Sequence, residues 1–126
     1  MSTILRGFSS LETLPEIRVE GLGIEYGTRK DGTRYFIVDV TDRNFTEFDG
    51  QVNDTIAFLK ENERRLAELK SQIPNLCWDI DFGYNTKVTT GELAVEGLRF
   101  PTELLVICAR LEVELLVSLY NANQFE

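Results

Sequence analysis

The sequence predicts an α+β fold: a single-layer, mostly antiparallel sheet of about five strands, with one long helix and one buried helix packed on one face. Three observations predict it. Residues 76–83 alternate between apolar and other side chains, as a strand with one buried face does. Residues 50–72 carry apolar side chains at spacings of three, four and seven, which is typical of an amphipathic helix. Residues 98–120 are the most hydrophobic stretch, so we expect the core to form on them.

The chain begins with a predicted strand over residues 3–8. Ser9 or Ser10 can then cap a brief helical turn over residues 11–17, because Glu12 lies three residues after Ser9.

A hairpin is predicted next, with strands over residues 22–28 and 34–40 around Lys30-Asp31-Gly32. Two registers are open. A two-residue turn pairs apolar with polar residues, whereas a three-residue loop with Gly32 left-handed puts six apolar residues on one face. The hydrophobic pattern therefore favours a type I turn with a glycine bulge. The six residues are Leu22, Ile24, Tyr26, Phe36, Val38 and Val40.

The long helix is predicted over residues 50–72, with Asp49 as a candidate N-cap and Pro74 as the stop. Its apolar stripe comprises Val52, Ile56, Leu59, Leu66, Leu69 and Ile73.

Residues 76–83 form the next predicted strand. Leu76, Trp78, Ile80 and Phe82 point to one face, and Cys77, Asp79, Asp81 and Gly83 point to the other. Residues 84–96 are rich in turn formers and predict a loop, in which Leu93 and Val95 can make a short edge strand.

The last helix is predicted to start at Pro101, with Glu103 favourable in its first turn. Residues 104–109 are apolar nearly all round, so we expect this helix to be largely buried. Residues 113–120 then form a strand that is apolar on one face and half apolar on the other, which is typical of a strand inside a sheet. Residues 121–126 are expected to be a loose tail.

Composition bounds the function. A chain of 126 residues predicts one domain, and a net charge of -8 disfavours nucleic acid and anionic membrane surfaces as partners. A basic protein partner fits this charge, and a homodimer is compatible with it; the alternative is that the charge only maintains solubility. The start of the chain lacks the apolar stretch of a signal peptide, and Cys77 and Cys108 are expected to be buried thiols, so we expect a cytoplasmic protein.

Catalytic chemistry has little support. The chain contains no histidine, which removes the commonest general base and metal ligand, and no glycine-rich phosphate loop is present. The sequence therefore favours a protein that is not an enzyme and predicts no cofactor.

The best polar group is Asp79 and Asp81, with Asp39 and Glu25 expected on the same face. These carboxylates can bind a divalent cation or act in acid–base catalysis, although a solvated sheet face explains them more simply.

Tyrosines and carboxylates supply the candidate partner-binding set. Aromatic side chains commonly anchor protein interfaces, and the tyrosines near the hairpin can line a small groove. The set is Tyr26, Tyr35, Asp39, Asp79, Asp81 and Tyr84. Trp78 and Phe82 are expected in the core instead.

The closing pattern resembles an uncharacterised bacterial family, the domain of unknown function 4279. It runs Gly97-Leu98-Arg99-Phe100-Pro101-Thr102-Glu103-Leu104-Leu105, then Leu111-Glu112-Val113-Glu114, and ends Val117-Ser118-Leu119-Tyr120; Trp78-Asp79-Ile80-Asp81-Phe82-Gly83 is compatible with it. The resemblance covers roughly residues 76–120 and implies a small α+β protein, with no catalytic residue to carry over. By analogy, similar small acidic bacterial proteins often act as immunity proteins against secreted toxins.

Three functions follow as hypotheses. The first is a non-enzymatic protein-binding module, in its finer form a toxin-immunity-type protein. The second is a carboxylate-based metal-binding or hydrolytic protein that uses Asp79 and Asp81. The third is a homo-oligomeric structural protein with an exposed sheet edge or face as its interface.

Overall fold

Five strands and two helices make up the part of the chain that the computed structural model describes, which is residues 1–10, 14–88 and 90–121. The predicted α+β class is confirmed. The elements in chain order are β1 (Thr3–Ser9), β2 (Glu25–Thr28), β3 (Arg34–Thr41), α1 (Phe48–Gln72), β4 (Leu76–Thr86), α2 (Thr102–Leu111) and β5 (Glu114–Asn121).

The strands form one sheet in the order β2-β3-β1-β4-β5. β1 lies in the centre and is antiparallel to β3 and β4, β2 is antiparallel to β3, and β5 is parallel to β4. The prediction that the last strand lies inside the sheet was wrong, because β5 is an edge strand. The reason is its connection: α2 crosses over from β4 and returns the chain parallel to β4, and no other described strand lies beyond it.

The predicted hairpin register is confirmed, since Tyr26 pairs with Phe36. Gly32 has φ +90, its N–H donates to the carbonyl of Arg29 at 2.9 Å, and the N–H of Arg29 donates to the carbonyl of Thr33 at 2.8 Å. β2 is shorter than predicted, so Leu22 and Ile24 pack on the core without strand pairing.

The short helix predicted over residues 11–17 falls partly outside the described residues, which exclude 11–13. Residues 14–17 are not helical, and Leu14 and Ile17 are buried. The Tyr26 hydroxyl holds this segment, because it accepts from the N–H of Ile17 at 2.7 Å and donates to the carbonyl of Ile17. Burial and this polar clamp replace helical hydrogen bonds here.

Helix α1 buries the predicted stripe. Its start differs from the prediction: Glu47 is the N-cap residue without a side-chain cap, and Asp49 lies in the first turn. The buried ring of Phe48 explains the earlier start, since it packs on Phe82 and Tyr84 with centroids 5.7 Å apart.

Gln51 of α1 is a fully buried polar residue that ties the helix to the sheet. Its Oε1 accepts from the hydroxyl of Thr3 at 2.8 Å, and its Nε2 donates to the carbonyl of Gly83 at 2.9 Å. These bonds satisfy buried polar groups on β1 and β4, so Gln51 fixes how α1 sits on both strands.

Helix α2 is buried along one stripe only, formed by Leu104, Ile107, Cys108 and Leu111. Leu105 and Val106 are 46% and 47% exposed, so the expectation of burial nearly all round was wrong. A helix at the edge of a two-layer fold has a flank that neither the sheet nor its neighbour covers.

The end of α2 is a Schellman-type cap without glycine. Glu112 takes the left-handed conformation with φ 55, and Val113 donates its N–H to the carbonyl of Cys108 at 3.0 Å. The indole of Trp78 donates to the carbonyl of Glu112 at 3.1 Å, which joins β4 to this turn.

Other details of the last half differ from the prediction. β4 continues to Thr86, and Leu93 and Val95 are exposed and outside any strand. Cys108 is buried, which raises the pKa of its thiol to about 11, whereas Cys77 is exposed rather than buried because it faces away from the helices. Neither described helix combines the length and apolar character needed to cross a bilayer.

Candidate binding face of the sheet

One face of the sheet is covered by neither α1 nor α2, and we call it the open face. The alternation of each strand determines its members, because residues such as Leu5, Phe36 and Ile80 point to the helices and are buried. The open face comprises Glu25 and Gly27 of β2; Tyr35, Ile37 and Asp39 of β3; Ile4, Arg6 and Phe8 of β1; Cys77, Asp79 and Asp81 of β4; and Glu114, Leu116 and Ser118 of β5.

A charged cluster lies at the centre of this face. The register places Arg6 opposite Asp79, and its Nε lies 3.0 Å from Asp79 Oδ1. The same guanidinium reaches Asp81 Oδ2 at 3.3 Å, and the hydroxyl of Ser118 donates to Asp81 Oδ1 at 2.6 Å. The Asp81 side chain is only 11% exposed, against 28% for Asp79. Asp81 is therefore held from two sides, and Asp79 is the more accessible carboxylate.

Burial of Asp79 opposes its ionisation more than the contact with Arg6 favours it. Burial is the largest cause that raises the pKa of Asp79 above its ordinary value, and the charge and hydrogen bond of Arg6 lower it. The nearby charges of Asp81 and Glu114 raise it further, so the net direction is upward. The approach of another cation stabilises such a carboxylate, since each added positive charge favours its ionised form.

The same cluster bears on the predicted metal site. Arg6 already lies against both carboxylates, so a divalent cation would have to displace a guanidinium. Within residues 1–10, 14–88 and 90–121, no group of three His, Cys, Asp or Glu side chains is placed to hold a metal ion. In the described part of the chain, the metal hypothesis therefore has no third His, Cys, Asp or Glu ligand beside Asp79 and Asp81.

A cleft of about 690 Å³ crosses the open face. One half of its lining is apolar and aromatic, with Ile4, Phe8, Tyr35 and Ile37, and the other half carries the acids Asp79, Glu112 and Glu114. Two arginines also line it, Arg6 at the centre and Arg29 at the hairpin end.

Two ring contacts shape the apolar half. The guanidinium of Arg29 stacks over the ring of Phe8, 5.2 Å from its centroid. The ring of Tyr35 lies across Gly27, where a Cβ would come within 2.4 Å of the tyrosine. Gly27 is therefore needed for Tyr35 to lie flat on the sheet.

The structure brings together four of the six predicted partner-binding residues. Tyr35, Asp39, Asp79 and Asp81 all lie on the open face, and Glu25 joins them as expected. The other two, Tyr26 and Tyr84, lie on the helix side of the sheet.

The predicted groove of three tyrosines was therefore wrong. Tyr26 is bonded to Ile17, and Tyr84 is 8% exposed and donates its hydroxyl to Glu96. Both sit one residue out of phase with the open face, and alternation along a strand sends them to the opposite side.

Sequence reasoning missed Arg6, Phe8 and Glu114 as members of this face, whereas the hairpin register had already placed Ile37 beside Tyr35 and Asp39. The alternation Ile4-Arg6-Phe8 is a signal that a strand places a cation between two apolar side chains on one face. The sequence does not show that this strand pairs with β4, because the two strands lie far apart along the chain.

Comparisons of this chain with protein-family models, with curated proteins and with solved structures found no match. The resemblance of residues 76–120 to the domain of unknown function 4279 stays a prediction.

Proposed function

We propose that this chain is a non-enzymatic protein-binding module that holds an extended, basic segment of a partner protein on its open face. The observation that carries the proposal is the cleft on the open face, in which the carboxylates of Asp79, Glu112 and Glu114 lie beside an apolar and aromatic lining. A lysine or arginine of a partner supplies the additional positive charge that this site favours.

The shape of the cleft supports an extended ligand. An apolar half beside an acidic half suits a strand-like segment in which apolar and basic side chains alternate. Phe8 and Tyr35 offer aromatic surface to the apolar residues, and Asp79 and Glu114 offer carboxylates to the basic ones.

The overall charge supports the same partner class. The net charge of -8 attracts a basic protein over a distance and raises its association rate. Within the cleft, the three acids outnumber the two arginines by one. A finer proposal is an immunity-type role in a bacterial cytoplasm, in which the basic partner is a toxin.

The test is fluorescence anisotropy with a labelled peptide of alternating lysine and valine. Asp79→Asn combined with Glu114→Gln removes two charges from the cleft, and we expect the Kd to rise about tenfold, equivalent to about 1.4 kcal/mol. The matched control removes two charges from exposed positions of α1, Glu61→Gln with Glu68→Gln. Equal losses in the two variants would show that only net charge matters and would contradict a site at the cleft.

A further inference from the structure

The two arginines of the cleft differ in what their guanidinium groups contact. Arg6 lies 3.0 Å from Asp79 and 3.3 Å from Asp81, so its charge is compensated within the sheet. Arg29 lies over the ring of Phe8, and in the described part of the chain its side chain forms no ion pair and no hydrogen bond. A guanidinium carries several N–H donors and no acceptor. The donors of Arg29 are therefore available to a ligand in the cleft.

The hairpin turn fixes the backbone of Arg29. Its N–H donates to the carbonyl of Thr33 at 2.8 Å, and its carbonyl accepts from the N–H of Gly32 at 2.9 Å. Asp31 of the same turn interacts electrostatically with Arg29, but its carboxylate accepts from the N–H of Thr33 at 2.9 Å instead of pairing with the guanidinium. The turn thus anchors the residue through its backbone and leaves the side chain to reach the ring of Phe8.

A guanidinium placed over an aromatic ring is suited to bind a carboxylate. The face of the Phe8 ring attracts the cation of Arg29 but supplies no oxygen for its N–H groups. A carboxylate supplies two oxygens, which match the planar fork of a guanidinium. Ring and carboxylate can therefore contact Arg29 together, without competing for the same donors.

The cleft has ends of opposite charge. Arg29 lies over Phe8 of β1, whereas Asp79 lies on β4 and pairs with Glu114 of β5. Because β4 separates β1 from β5 in the sheet, these ends lie about 10 Å apart, which is two strand spacings. Three residues of extended chain cover about the same distance. One short extended segment can therefore place an anionic group at Arg29 and a basic side chain at the acids.

Charge selects the kind of anion. The chain has a net charge of -8, and three acids line the cleft, so a phosphate dianion is repelled more strongly than a carboxylate with its single charge. The remaining part of the ligand has to be basic to match those acids. The end of a polypeptide chain supplies a carboxylate without adding an acidic residue to a basic segment.

We propose that the cleft binds the carboxyl-terminal segment of its basic partner, with the terminal carboxylate on Arg29 and a lysine or arginine about three residues earlier on Asp79 and Glu114. The assignment rests on the proposed function, because it gives the segment held on the open face a direction and an end. Arg29 is then a specificity-determining residue that favours chain ends over internal segments.

The test compares two lysine–valine peptides of identical sequence by fluorescence anisotropy at one salt concentration. Both are labelled at the amino terminus, and one ends in a free carboxylate whereas the other ends in a carboxamide. We expect the free acid to bind about threefold more tightly, as one ion pair near the surface allows. The net charge of the chain favours the opposite order, because the carboxamide peptide is the more positive of the two. The order of the two Kd values therefore tests the site itself.

Three variants locate the effect. Arg29→Met should reverse the order, so that the carboxamide binds more tightly, because net charge alone then decides. Arg29→Lys keeps the charge but not the planar fork, so it should retain only part of the preference for the free acid. Arg64→Met is the matched control: Arg64 is exposed on α1, away from the cleft, and its removal should leave the preference unchanged. Circular dichroism checks that each variant is folded.

A third peptide separates the possible sources of the carboxylate. It ends in a carboxamide and carries glutamate at its last position, and we expect it to bind more weakly than the free acid. Equal binding would overturn the assignment to a chain end.

Two further outcomes would overturn the proposal. The first is tighter binding of the carboxamide peptide to the parent chain, and the second is a preference for the free acid that survives in Arg29→Met. In either case a loss of affinity in Asp79→Asn with Glu114→Gln would still support binding at the open face, so the two failures are distinguishable. Absence of binding by both peptides would overturn this proposal and the proposed function together.

Discussion

Arg6→Met removes the cation that lies against both carboxylates of the open face while keeping most of the apolar stem. In this variant Asp81, which is 11% exposed, keeps only the hydrogen bond from Ser118. We therefore expect Asp81 to lower the free energy of unfolding by about 1–3 kcal/mol, the cost of a buried charged acceptor that has lost a partner. Asp79 is 28% exposed and can gain water, so its share is at the low end of that range. The sum predicts a loss of about 2–4 kcal/mol in the free energy of unfolding.

The assay is urea unfolding followed by the fluorescence of Trp78, the single tryptophan, which is 5% exposed and bonded to the carbonyl of Glu112. The midpoint should fall while the slope with urea stays constant. Asp81→Asn in the Arg6→Met background should recover part of the loss, because the uncompensated charge is then gone.

Arg43→Met is the matched control. Arg43 also contacts a carboxylate, Asp54 at 2.7 Å, but the two side chains are 45% and 33% exposed. Water replaces this contact, so the variant should lose much less stability than Arg6→Met. Equal losses in the two variants, or a loss below about 0.5 kcal/mol for Arg6→Met, would refute the account of a partly desolvated cluster.

Four further outcomes are expected. The pKa of Asp79 is raised in the folded state, so the parent chain should lose stability as pH rises from about 3 to about 6. In unfolding experiments over this range, Asp79→Asn should therefore become more stable relative to the parent chain. A constant difference in the free energy of unfolding would contradict this. Asp54→Asn should behave oppositely, since Arg43 and Thr41 lower the pKa of Asp54 and its stabilisation disappears only as pH falls. Gln51→Met should cost about 2–4 kcal/mol in urea unfolding, because Thr3 and Gly83 lose buried partners, and an unchanged midpoint would count against that network. Glu112→Gly should raise the Tm by about 4 °C in a calorimetric scan by relieving a left-handed backbone, and a lower Tm would show that this strain is small.

Local patterns predicted the parts of the fold that depend on near neighbours. The faces of β4 follow from strict alternation, and the hairpin register follows from the apolar pairs and from Gly32. The stripe of α1 follows from helical periodicity. In the two strand cases, one residue of slip would move the whole apolar set to the opposite face, so the apolar pattern selects one register.

Long-range pairing was beyond that reasoning. Arg6 and Asp79 are 73 positions apart, and nothing local shows that their strands are neighbours. The edge position of β5 could not be predicted for the same reason, because a strand has the same apolar content whether a neighbouring strand or a second molecule covers it. Leu105 illustrates the limit: an apolar run predicted burial, and the placement of α2 left it exposed.

Only part of the open face could be predicted from the sequence, and the reason is physical. Asp79 and Asp81 alternate with core residues on one strand, so their common face can be read from the sequence. The cleft beside them needs Phe8 from β1 and Tyr35 from β3, which come together only when the sheet order is known.

The isoleucine methyl groups provide the most direct test of binding at the open face. Ile4 and Ile37 line the cleft, whereas Ile56, Ile80 and Ile107 are buried on the helix side. In a methyl NMR titration with the lysine–valine peptide, we expect the resonances of Ile4 and Ile37 to move with peptide concentration and those of the three buried isoleucines to stay in place. Shifts confined to the buried isoleucines would contradict binding at this face. So would the absence of any shift at about 1 mM peptide, a concentration that half-saturates even a site with a Kd of about 1 mM.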